Sequence, residues 1–151
     1  MQTIAALALA AGQAAAAGQA IEATGTFEVK ITPVPAASAA ADDTRGRMTF
    51  TKTFQGALVG AGEGEMLTAG TPGAGSAGYV ALERFTGSLD GRRGSFAMQH
   101  SGTMHAGRQD LAIVISPGSG TGELAGIGGT ATIRIEGKQH FYTLRYTLPA
   151  R

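Results

Sequence analysis

Hydrophobic and polar residues alternate along short runs of this chain, and nearly every run is closed by a glycine-bearing turn. The pattern is clearest from Gly75 to Gly129, GSAGYVALERFTGSLDGRRGSFAMQHSGTMHAGRQDLAIVISPGSGTGELAGIGG. Period-two alternation puts successive side chains on opposite faces, so each run reads as a half-buried strand. Eight strands follow: 23–32, 44–55, 57–68, 76–89, 93–102, 109–116, 122–136 and 139–148. No helix is needed to join them. Sequential strands with short turns make a meander, and eight suffice to close a small barrel that leaves no exposed edge. The expected fold is therefore all-β, a closed eight-stranded antiparallel meander barrel, with a β-sandwich as the alternative.

Register decides which side chains meet, because a one-residue slip exchanges the two faces of a strand. Asp90-Gly91 suits a two-residue hairpin turn. Pairing Leu89 with Arg92 sets Ala81 opposite His100, Glu83 opposite Met98 and Phe85 opposite Phe96, with Arg84 and Gln99 on the other face. A turn at Gly137-Lys138 pairs Ile135 with His140 and Ile133 with Tyr142. Lys52 falls on the apolar face of its strand with Met48, Phe50 and Phe54, and Phe27, Val29 and Ile31 share one face of the first strand. Across Ala69 to Gly75, a symmetrical pairing sets Glu65 opposite Tyr79 and Glu63 opposite Ala81. That pairing brings both carboxylates inside and turns Gly60, Gly62 and Gly64 outward.

Composition narrows the picture. The 151 residues make one domain, and 24 glycines with 15% charged residues describe a turn-rich globular chain. Twelve basic against eleven acidic residues, with no basic stripe, exclude nucleic acid as a partner. With no cysteine there are no disulfides and no thiolate chemistry. Residues 1–20 hold ten alanines and no charge. They read as an alanine-rich leader or signal-like segment ahead of one barrel domain over 21–151. A signal peptide would make the protein exported or periplasmic; otherwise it is cytoplasmic. The run is too weakly apolar for a membrane span. Pro33 to Asp43 reads as the first long loop.

Four separated words, KTFQGALVGAGEGEML, GSAGYVALERFTGSLDGRRGSFAMQHSGTM, SGTGELAGIGGTATI and HFYTLRYTL, resemble in their order family 3224 of the domains of unknown function, a group of small bacterial proteins. The resemblance spans roughly 23–148. It implies an eight-stranded barrel similar to that of the allene oxide cyclases, and it carries no activity, cofactor or catalytic residue with it.

The candidate chemistry lies on the inner face. Lys52, Glu63, Glu65, Tyr79, Glu83, His100, His140 and Tyr142, set among Phe85, Phe96 and Met98, form the expected ligand-binding set. Polar groups buried there must pair, reach water or serve a ligand, since each unsatisfied one costs about 1–3 kcal/mol. Glu83 and Glu65, with His100, are the candidate proton-transfer residues. His100, His140 and Glu83 lack tight metal-ligand spacing, so neither metal nor cofactor is expected. His105 reads as a solvated turn residue. The loop SPGSGTGEL lacks the Gly-Lys-Ser/Thr ending of a phosphate-binding loop and reads as a strand connection in which Ser119 or Thr121 bonds to backbone. Three functions remain. The first is a non-enzymatic module that binds a small, mostly apolar ligand in the lumen. The others are a cofactor-independent isomerase, cyclase or lyase, and a structural barrel acting by self-association as a homo-oligomer.

Overall fold

Large inward side chains on two strands and glycines on the strand between them set the shape of this barrel. A computed structural model describes residues 18–35 and 43–150. The strands are β1 (Ile21–Val34), β2 (Gly46–Gly56), β3 (Leu58–Thr71), β4 (Ser76–Leu89), β5 (Arg92–His105), β6 (Arg108–Ile115), β7 (Gly128–Glu136) and β8 (Gln139–Thr147). They follow one another around a closed antiparallel ring in which β8 returns to β1. The sandwich alternative is excluded. The leader's first seventeen residues and most of the expected long loop, 36–42, lie outside the described residues.

Two hairpins keep the expected register. Asp90 and Gly91 both adopt positive φ, 47° and 79°, the geometry a tight hairpin turn requires. Leu89 pairs with Arg92, Phe85 with Phe96, Glu83 with Met98 and Ala81 with His100. Ile135 pairs with His140 and Ile133 with Tyr142.

The β3–β4 hairpin differs. Its turn is a short one, Pro72–Ala74 in a single 3₁₀ turn followed by Gly75 at φ 80°, so that Thr71 pairs with Ser76. Glu65 therefore faces Leu82 and Glu63 faces Arg84. The pairing is displaced by three residues, an odd number, and the faces of β3 exchange. Glu63 and Glu65 stand outside, where Glu65 meets Arg47 at 2.6 Å, and Gly62 and Gly64 face the lumen.

The two barrel ends are unlike. One is sealed by the connection between β6 and β7, whose Leu124 and Ile127 are buried with Leu58, Leu89, Phe85 and Phe96. Each such side chain contributes about 1.5–3 kcal/mol by leaving water. The connection takes the place of a strand: β6 and β7 share only the pairs Ile113–Ala131 and Val114–Thr130. Beyond them it hydrogen-bonds to β5, with Thr121 N to Ser95 O at 2.8 Å and Ala97 N to Ser119 Oγ at 3.0 Å. SPGSGTGEL is thus the strand connection expected, although β7 starts at Gly128 rather than near Gly122, where another 3₁₀ turn lies. Asp90 and Ala57 close the same end, and Tyr146 Oη donates to Asp90 Oδ2 at 2.7 Å. β1 begins and β8 finishes here, with Ile21 opposite Tyr146. Among the described residues, the opposite end is ringed by the β3–β4, β5–β6 and β7–β8 hairpins and is open.

A Cβ at Gly64 would lie 2.2 Å from the Leu82 carbonyl oxygen and 2.5 Å from Phe50 Cζ. Gly64→Ala is therefore expected to destabilise the barrel by about 1–3 kcal/mol. Urea denaturation checks this, and an unchanged midpoint would contradict the inward glycine stripe.

Candidate functional site

The open half of the lumen encloses a cavity of about 440 Å³. Alternation on β1 supplies Val29 and Ile31 to its wall, β2 supplies Met48 and Phe50, and Met66 enters from β3. Met104, Leu111 and Ile133 complete the apolar lining, with Tyr79 and His140 among them. The floor is a buried ionic cluster. Lys52 Nζ donates to Glu83 Oε2 at 2.7 Å, and both side chains are nearly sequestered from solvent. β3 separates the strands that carry them, and the bridge crosses it at Gly62, where a Cβ would lie 2.3 Å from Glu83 Oε1.

Aromatic rings surround the ammonium: Nζ lies 4.6 Å from the centroid of Phe27, 5.3 Å from Phe50 and 5.8 Å from Phe54. Such contacts stabilise a desolvated cation by about 2 kcal/mol. His100 Nε2 lies 2.9 Å from Glu83 Oε2. That contact favours the ionised carboxyl, whose other oxygen, Oε1, is buried without a hydrogen-bond partner. Burial opposes ionisation of Glu83, but His100 and the Lys52 charge outweigh it and hold the carboxyl below its ordinary range. Burial, and then the charge of Glu83, push the Tyr79 hydroxyl up.

The expected residues separate into groups. Lys52, His100, Tyr79 and His140 line the cavity, His140 stacked at 4.9 Å on Phe27. Glu83 lies behind the floor. Phe85 and Phe96 face inward as expected but pack ring to ring at 5.2 Å in the sealed half, and Met98 is buried beside them. Tyr142 turns its hydroxyl away from the cavity, accepting from Leu58 N at 2.7 Å and reaching Gln55 O at 3.3 Å. Glu63 and Glu65 are corrected to the outer face, because the short β3–β4 turn reverses that strand. His105 ends β5 instead of lying in a turn, and its Nδ1 is 2.8 Å from Ser76 Oγ. The aromatic box around Lys52 was absent from the expected set, although Phe50 and Phe54 shared its face in the alternation. Met66 was hidden by the β3 register. Among the described residues no cluster of three or more His, Asp or Glu is placed to hold a metal ion.

The chain matches the protein family described as "Protein of unknown function (DUF3224)" over residues 23–146. A solved structure from that family, a protein of unknown function from Shewanella oneidensis MR-1, is 46% identical, with a TM-score of 0.81 over 87% of this chain and 100% of its own. No curated protein matches the chain.

Lys52→Met leaves a buried carboxylate without its ammonium partner, and the expected loss is about 3–5 kcal/mol. Adding Glu83→Gln should recover most of it. The sign with pH follows from the lowered Glu83 carboxyl. Its contribution is complete above the ordinary glutamate value of 4.5 and is lost as pH falls below it. Over that acid range the wild type should lose stability more steeply than the double variant; parallel denaturation curves would contradict the assignment.

Proposed function

The chain belongs to the DUF3224 family, and we propose that it uses the barrel to bind a small, mostly apolar molecule in the open half of the lumen. The observation that carries this reading is the cavity itself. Its volume of about 440 Å³ falls within the roughly 300–1,000 Å³ usual for sites of drug-sized ligands. Its lining has the composition of such a site, with apolar walls and a few convergent polar groups. The sealed half supports the reading from below, since Phe85, Phe96, Leu124 and Ile127 belong to the packed core beneath the ionic floor. Proton transfer by Glu83 gains no such support. Its carboxylate is committed to Lys52 and does not face the cavity.

Met66→Trp places an indole in the cavity without touching the sealed half. Binding of an uncharged, environment-sensitive dye is expected to weaken roughly tenfold or more, which corresponds to about 1.4 kcal/mol, while the melting transition stays cooperative. Equal dye binding by both proteins would argue against the lumen as the site. Extraction of the purified protein followed by mass spectrometry would identify the natural occupant.

A further inference from the structure

We propose that the molecule bound in the lumen is an apolar monocarboxylate, inserted head first so that its carboxylate rests on the Lys52 ammonium. This rests on the reading of the lumen as a binding site and adds the chemistry of the end that enters.

The cluster is polarised toward the cavity. Of its three ionisable groups, Lys52 and His100 line the cavity, whereas Glu83 lies behind them with its side chain fully buried and Oε1 against Gly62. A ligand therefore meets the donating side. The ammonium has three N–H donors, and its one hydrogen bond is to Glu83 Oε2. Its other neighbours are the faces of Phe27 and Phe50, which attract the charge without accepting a directed hydrogen bond. His100 Nε2 lies beside Glu83 Oε2, 2.9 Å away, and is buried from the cavity. A carboxylate offers two oxygens with about four lone-pair positions, which the remaining ammonium N–H groups can fill.

The walls above the floor fix the rest of the molecule. Val29, Ile31, Met48, Met66 and Ile133 offer no polar partner, and Tyr79, Asp110 and His140 are among the few polar groups of the lining, so the body is mostly apolar. Charge fixes the orientation: Lys52 and Glu83 form a pair whose positive end lines the cavity, so the negative end of a ligand meets it.

The test displaces nile red from the full chain with decanoate, decanol and decylamine, which share one apolar body. Decanoate is expected to compete at least about tenfold better than decanol. In the paired Lys52→Met/Glu83→Gln protein, nile red should still bind and the preference for the acid should disappear. The wild-type series decides the matter even if that variant does not fold. Nile red displaced equally by acid and alcohol, or better by the amine, would overturn the carboxylate and leave the pocket standing. Absence of binding by nile red and all three competitors would overturn the pocket as well.

Discussion

An ammonium and a carboxylate on strands that are not neighbours can touch inside a barrel only if the strand between them gives way. β3 does so by carrying glycine at its inward positions. Adjacent strands lie about 4.8 Å apart, so β2 and β4 are separated by nearly 10 Å, and Lys52 must reach over β3 to meet Glu83. A side chain at Gly62 would occupy the place of Glu83 Oε1, and one at Gly64 would collide with Phe50. The glycines are thus a groove cut into the wall. Through it the barrel holds two opposite charges deep in an aromatic environment, where separating them would cost several kcal/mol.

That bridge also marks the boundary between the two halves of the lumen. Below it, side chains from every quarter of the ring meet a loop that folds inward, and Leu124 and Ile127 complete a dry core. Above it, the inward residues leave a cavity of about 440 Å³. Among the described residues, the long β6–β7 connection closes one end, and hairpins of two to four residues ring much of the other. A small barrel can be filled completely by its own side chains or leave room for a ligand, and this one does each in turn along its axis.

The architecture was legible in the sequence because alternation and turn chemistry agreed. Asp90-Gly91 and Gly137-Lys138 each allow one tight geometry, and with the turn fixed every pair along the hairpin follows. Ala69 to Gly75 carried no such constraint. Symmetrical pairing across it assumed seven loop residues where the chain uses four, which reversed β3 and misplaced Glu63 and Glu65. The three glycines held the corrective signal, since glycine repeated at every second position of a strand marks a face that something approaches closely. What approached from β2 and β4 was a matter of three-dimensional packing. For the same reason Phe85, Phe96 and Tyr142 could be assigned to the inner face but not to the sealed half: alternation specifies a side of the sheet and says nothing about depth along the axis.

Ile21 and Tyr146 stand side by side at the sealed base, because a meander with an even number of strands returns to the end from which it started. The chain therefore enters the first strand and leaves the last one the full length of the barrel away from the cavity's mouth. A body fixed at that base would leave the rim free, like a cup held by the foot.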